Sequence, residues 1–257
     1  MIGKKITNKC AKMQWSPSEI KELSPILEQV QIDLEPLNGK NILVLCSAAG
    51  EIPFWFADRM TQGHILGVEL NRELLETAQL SAKEKHLSHL AEFRGTEKTH
   101  LLLQDNTFDG LVSEFVIFPT PMPTEIGQPE MARVLKPGGR MVITDVIITK
   151  TLSPDARRDL RRIGLDYLCE GTADDFRRWM QEAGLIDIEV KDITPIVKRV
   201  WEQRRKQDPS PDHSNGYTLL LEDSPAKLGD GIYYIYVRGT KPADHNQAFV
   251  KKTLKAR

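Results

Sequence analysis

Asn41-Ile42-Leu43-Val44-Leu45-Cys46-Ser47-Ala48-Ala49-Gly50 is the passage from which the architecture can be read. Residues 41–46 form a short apolar run without alternation, the pattern of a strand buried on both faces of a parallel sheet. Ser47 to Gly50 are all small and make a tight turn. Glu51, Pro53 and the apolar run Phe54 to Ala57 then open a helix with an acid and a proline in its first turn.

Moving outward, the same order recurs. His64 to Glu69 reads as a strand, residues 72–85 as a helix and residues 91–94 as a weaker strand. Phe108 to Ser113 and Gly139 to Asp145 are firm strands separated by a helix over residues 126–134. Strands alternating with helices over residues 40–148 predict right-handed βαβ crossovers, hence an α/β, doubly wound, mostly parallel sheet covered on both faces. Upstream, residues 16–30 combine an N-cap serine, Pro17 at the first helical position and helix-spaced Ile20, Leu23, Ile26, Leu27 and Val30. Downstream, residues 153–168, 172–183 and 195–207 read as helices, and residues 186–193 and 231–239 as strands. The Pro/Asp/Ser/Asn stretch at residues 208–216 breaks the pattern.

Composition narrows the function classes. With 35 Lys+Arg against 36 Asp+Glu in 257 residues and a net charge of -1, no basic excess drives sequence-independent binding of phosphates, so a nucleic-acid partner is not expected. No apolar stretch reaches the roughly 18 residues of a membrane span, and the polar residues after Met1-Ile2-Gly3-Lys4-Lys5 lack the apolar core of a signal peptide, so a cytoplasmic protein away from membranes is expected. Cys10, Cys46 and Cys169 are too widely spaced for a zinc or redox motif, and no metal site is expected. His86 and His89 have i, i+3 spacing and are expected as solvated polar residues on a helix. Asp155, Asp159, Asp174 and Asp175 are interleaved with Arg157, Arg158, Arg161, Arg162, Arg177 and Arg178, which predicts a salt-bridged, solvated face.

In an open parallel sheet, ligands bind beyond the carboxyl ends of the strands where the strand order reverses, and the first strand-to-helix turn normally lies there. Ser47 to Gly50 would let backbone amides approach a ligand, and the following helix start favours an anionic group. Glu69 ends the second strand, where a carboxylate can accept both hydroxyls of a ribose. Loop and acid together predict a nucleoside-containing cofactor.

Glu130-Met131-Ala132-Arg133-Val134-Leu135-Lys136-Pro137-Gly138-Gly139-Arg140 resembles the E-x-x-R-V-L-K-P-G-G passage of the class I S-adenosylmethionine-dependent methyltransferases. In that passage a helix stops at Pro-Gly-Gly and the chain reverses into a buried strand. Gly67-Val68-Glu69-Leu70, Gly95-Thr96-Glu97 and Phe108 to Ser113 fall at the family's intervals, and residues 234–242 are similar to its closing antiparallel strand. The resemblance implies a seven-stranded Rossmann-like sheet and S-adenosyl-L-methionine as cofactor, bound by Cys46, Ser47, Ala48, Ala49, Gly50, Glu69, Leu70, Thr96, Glu97 and Ser113. It implies transfer of the sulfonium methyl to a small-molecule acceptor. Residues 1–38 would form an N-terminal helical lid, residues 39–241 the methyltransferase-like domain with residues 149–230 covering the acceptor site, and residues 242–257 a tail.

The first loop departs from the family. Val44 stands where an acid is usual, Cys46 and Ala48 replace the first two glycines of G-x-G-x-G, and only Gly50 is kept. Where a glycine would take positive φ, a Cβ costs on the order of 1 kcal/mol. A catalytically impaired binding or regulatory module on the same fold is therefore the alternative. A nicotinamide dehydrogenase is disfavoured because the G-x-G-x-x-G fingerprint is absent. Phe118, in the loop after the fourth strand, and Tyr167 and Cys169, in the segment that covers the acceptor pocket of many small-molecule methyltransferases, are the candidate substrate-binding residues. Cys169-Glu170-Gly171 faintly echoes a cysteine segment of arsenite methyltransferases. No catalytic residue is nominated.

Overall fold

The run at residues 41–45 is strand β1 (Asn41–Leu45), buried from Ile42 onward. The computed structural model describes residues 17–45, 47, 49–96, 101–113, 127–151, 154, 158, 169–207 and 227–243. Helix α1 (Pro17–Leu34) precedes β1, and α2 (Glu51–Ala57), β2 (His64–Glu69), α3 (Arg72–Glu84), β3 (Ala91–Gly95), β4 (Phe108–Ser113), α4 (Gln128–Val134) and β5 (Leu135–Ile148) follow it. The chain continues through β6 (Cys169–Glu170), α5 (Ala173–Glu182), β7 (Ile186–Asp192), α6 (Thr194–Gln207), β8 (Lys227–Leu228) and β9 (Gly231–Thr240).

The sheet runs β3-β2-β1-β4-β5-β9-β7, with the two-residue strands β6 and β8 paired to β5 and β9 off this path. β1 to β5 are parallel, while β9 is antiparallel to both β5 and β7. The doubly wound, seven-strand expectation with a closing antiparallel strand therefore holds. Strand order reverses at β1, whose neighbours are β2 and β4, so the crevice beyond the carboxyl ends of these strands is the topological switch point.

Each face of the sheet is a separate core. Ile42, Val44, Ile65, Val112, Val142 and Tyr236 pack with α1, α2 and α6. The alternate residues Leu43, Leu45, Leu66, Leu111, Met141, Ile143 and Val237 pack with α4 and α5. This is the period of two expected of strands covered on both sides. Leu23, Ile26, Leu27, Val30 and Leu34 form the buried stripe of α1. Its last turn is held by Asp33, whose carboxylate accepts hydrogen bonds from Tyr236 Oη at 2.5 Å and Arg238 Nη1 at 3.3 Å, while Arg140 Nη1 donates to the Asp33 carbonyl at 2.7 Å.

The helix-to-strand passage differs from the sequence expectation. Helix α4 ends at Val134, the expected residue, but the strand begins at once, four residues before the expected Gly139, with Leu135 already paired to Phe108. Gly110 next pairs with Arg140, so residues 136–139 bulge out of β5, and Gly138 takes φ of 77° in that bulge. A Cβ on Gly139 would lie 2.8 Å from the Lys136 carbonyl oxygen. The glycines therefore shape a bulge within β5, which runs parallel to β4 on both sides of it. His86 and His89 also lie elsewhere than expected: α3 stops at Glu84, His86 has φ of 57°, and both are exposed in the turn that follows. On α5, the expected ion pairs form, Arg177 to Asp174 at 2.5 Å and Arg178 to Asp175 at 2.7 Å. Arg157, Arg161 and Arg162 lie outside the described residues.

The Glu and Arg of the E-x-x-R passage have a structural task. Arg133 Nη2 donates to the Leu101 carbonyl at 3.0 Å and to Glu130 Oε1 at 2.7 Å, and its Nη1 donates to the Leu103 carbonyl at 2.8 Å and Asp105 Oδ1 at 2.5 Å. Glu130 Oε1 also accepts the Leu101 amide at 3.1 Å. The pair thus bolts residues 101–105 to α4. Arg133→Ala is expected to destabilise the protein by about 2–3 kcal/mol in urea melts, because several charge-assisted bonds are lost together. Arg133→Lys is expected to recover little of that, since a point charge cannot serve the same spread of acceptors.

Candidate functional site

The site is assembled at the carboxyl ends of β1 to β4. Beyond β1, Ser47 donates its amide to the Val68 carbonyl at 3.1 Å, and its own carbonyl accepts the Gly50 amide at 2.9 Å, closing the turn. Gly50 has φ of 100°, and a Cβ there would stand 2.5 Å from Phe54 and 3.0 Å from Phe93. The one glycine retained in this loop is thus where left-handed backbone and close packing both require it. Ser47 is 3% exposed, and its hydroxyl is buried without a hydrogen-bond partner. Ala49 is buried in the same turn.

At the end of β2, Glu69 is 1% exposed, and its Oε1 accepts the amides of Leu70 and Asn71, each at 2.8 Å. These bonds fix the carboxylate at the strand end and leave Leu70 half-buried beside it. Glu69 pairs with Gly95 of β3, and its carbonyl accepts the Thr96 amide at 3.1 Å. Next to this junction is a cleft of about 280 Å³ lined by Val68, Arg94, Gly95, Thr96, Leu101, Leu102 and Leu103. It lies just below the roughly 300 Å³ lower end of small-molecule sites, a size suited to one moiety of a larger ligand. Leu102 presents its side chain there while 77% exposed, and the Arg133 clamp fixes its two neighbours. Ser113, at the end of β4 and opposite Leu45, is fully buried with its hydroxyl unpartnered.

Ser47, Ala49, Gly50, Glu69, Leu70, Thr96 and Ser113 therefore converge from four strand ends on one edge of the sheet. Cys46, Ala48, Glu97, Phe118 and Tyr167 lie outside the described residues. Cys169 begins β6 and pairs with Ile147 of β5, two strands from β1 on the path of the sheet.

Two acids of the site carry no sequence signal that separates them from ordinary positions. Glu51 begins α2, where an acid reads as a complement to the helix dipole. In the fold both its carboxylate oxygens are buried without a well-formed hydrogen bond. Burial pushes its pKa up to about 7; the nearby amides of Glu51 and Ala49 draw it down, and Glu69 raises it further. Asp145 falls in β5 on the face of Met141, Ile143 and Ile147, two residues past the Ile143–Ser113 pair, so it stands beyond the end of β4. Its Oδ1 accepts the Val146 amide at 2.7 Å. Its side chain keeps some exposure, yet its carboxyl is deep enough that burial pushes its pKa up to about 7, against the lowering effect of the Val146 amide. An acid on an inward position of an otherwise apolar strand was the one available clue.

A family model described as a methyltransferase domain matches residues 37–193. The arsenite methyltransferase of Halobacterium salinarum is 29% identical over 170 residues, covering 65% of this chain and 43% of that protein. The chain thus spans less than half of that relative's length. Among solved structures, the [4+2]-cyclase SpnF matches with a TM-score of 0.68 at 18% identity, covering 91% of this chain and 85% of that one. Haemonchus contortus phosphoethanolamine N-methyltransferase 2, solved with S-adenosyl-L-methionine, matches with a TM-score of 0.66 at 18% identity, covering 92% and 60%. At these identities the solved structures establish the shared fold.

Proposed function

Since the chain belongs to the methyltransferase-domain family, we propose that it moves a methyl group from S-adenosyl-L-methionine to a nucleophilic small molecule. The observation that carries this reading is the gathering of Glu69, the buried hydroxyls of Ser47 and Ser113 and the adjoining cleft at the strand-order reversal. The residues fit the donor: Glu69 for the ribose hydroxyls, Thr96 and Leu101 to Leu103 for the base, and the Ser47 to Gly50 turn for the methionine end. The lid, residues 1–38, and the acceptor cover, residues 149–230, belong to the same proposal.

When bound, the donor supplies a methyl group on a positively charged sulfur, which is already an activated leaving group. What remains for the protein is to orient donor and acceptor in line and to keep water out. The apolar cores beneath β1, β2 and β4 hold those strand ends rigid. Where the acceptor starts protonated, Oδ2 of Asp145 can take its proton, with a pKa near neutrality suited to that exchange. Arsenite is the first acceptor to test, given the name of the archaeal relative, followed by thiols, phenols and amines.

Val44 favours a second reading. It is fully buried within an apolar cluster where the family carries an acid, which fits a binding or regulatory module without turnover. Calorimetric titration with S-adenosyl-L-methionine and S-adenosylhomocysteine, followed by a radiolabelled methyl-transfer screen, decides between them. Micromolar binding with label transfer is the expected result. Binding without transfer to any acceptor would favour the second reading, and no binding of either ligand would end the first and leave the binding or regulatory module.

A further inference from the structure

We propose that Glu51 holds the α-ammonium group of the donor, supplying from the first turn of α2 the carboxylate that Val44 does not. The inference rests on the methyltransferase reading of the site and adds to it a residue for the amino-acid end of the ligand. Three observations meet here. Both Glu51 carboxylate oxygens are sealed from solvent without a well-formed hydrogen bond, the amides of Glu51 and Ala49 being near enough only to offset part of the effect of burial. Four residues earlier in the same turn, the Ser47 hydroxyl is likewise buried and unpartnered, although the residue is only 3% exposed. Glu69, at the end of neighbouring β2, adds a small further opposition to ionisation of Glu51. A buried carboxylate with no partner is unfavourable unless something brought to it compensates, and buried polar groups are as a rule satisfied.

The chemistry of the missing partner follows. A cation is favoured, because Glu51 and Glu69 are neighbouring acids, and several N–H donors are favoured, because both Glu51 oxygens and the Ser47 hydroxyl lack a well-formed hydrogen bond. An α-ammonium group meets both conditions with its charge and three protons. The sulfonium of the donor is a poorer match, since it offers no hydrogen and one side of it must stay open to the acceptor. The anion expected at this helix start is disfavoured, because Glu51 already places negative charge there. With Glu69 at the ribose, the two acids would fix the nucleoside and amino-acid halves of one ligand separately.

The test compares two ligands on two proteins. S-Adenosylhomocysteine carries the ammonium group, and 5′-deoxy-5′-methylthioadenosine lacks the amino-acid portion. In calorimetric titrations Glu51→Gln is expected to weaken S-adenosylhomocysteine about tenfold or more and methylthioadenosine less than twofold. Equal weakening of both ligands, or of neither, would overturn the assignment. Absence of binding of either ligand to the unmodified protein would instead overturn the methyltransferase reading itself, and this inference with it. Should Glu51→Gln fail to fold by circular dichroism, the unmodified protein still decides. The analogue of S-adenosylhomocysteine with hydrogen in place of the amino group is expected to bind at least tenfold more weakly than its parent, and equal affinity would refute the proposal.

Discussion

Glu69→Ala is expected to abolish measurable binding of S-adenosylhomocysteine, and Glu69→Gln to weaken it by about tenfold to a hundredfold. A carboxylate that accepts two ribose hydroxyls contributes charge-assisted bonds of about 1.5–3 kcal/mol each. The alanine variant loses both of them. It also leaves the Leu70 and Asn71 amides without the oxygen that receives them at 2.8 Å, so the strand end itself loosens. A drop of about 2–4 kcal/mol in ligand-free stability should accompany the loss, on the scale for orphaned buried amides. The glutamine variant keeps an oxygen for the two amides and is the cleaner probe. Titration calorimetry reads the affinities and urea melts the stabilities. Unchanged affinity in Glu69→Gln would remove Glu69 from the ligand.

The second large effect is an inverted dependence of ligand-free stability on pH. The side chains of Glu51 and Asp145 both have pKa values pushed up to about 7 by burial, against unfolded values near 4. Between pH 4 and pH 7 the folded chain therefore binds more protons at these two sites than the unfolded chain does. Stability contributed by them is fully present below pH 4 and falls as pH rises to about 7. For Glu51 the loss is on the order of 3 kcal/mol, and Asp145 adds to it in the same direction. An ordinary paired carboxylate behaves oppositely. Asp109, which burial would raise, is brought below the usual range by the Asn41 amide and by Lys136 and Lys40, so its contribution grows with pH. Glu51→Gln is expected to raise the ligand-free melting temperature at pH 8 by roughly 6–12 °C and to leave it nearly unchanged at pH 4.5, the scale for a domain of this size. The double variant Glu51→Gln with Asp145→Asn should flatten the profile further. Melting curves that fall equally steeply in the variants and the parent protein between pH 5 and pH 8 would show that neither acid is responsible.

The frame was legible because the interior strands are apolar runs flanked by small residues and helix starts, signals that survive in a single chain. Glu69 was legible for a related reason: position alone, at the end of the second strand, puts it at the crevice. Glu51 and Asp145 were not, because an acid in a first helical turn and an acid in a strand become chemically unusual only through what packs over them. The Arg133 clamp was hidden for the same reason, since it joins residues about 30 positions apart through backbone carbonyls that have no identity in sequence. The early start of β5, at Leu135 rather than Gly139, shows the converse. Pro-Gly-Gly announces an irregularity in the chain but not the element in which it falls, here a bulge inside a parallel strand.

Because β9 runs against its neighbours, Thr240 lies beside Arg140 and Ile186, and Lys241 reaches the carbonyls of Leu135 and Ala132. The polypeptide therefore departs the sheet near residue 243 from the pole away from the crevice. Anchoring the molecule to a sensor chip or bead through that pole would leave the crevice pointing into the flow.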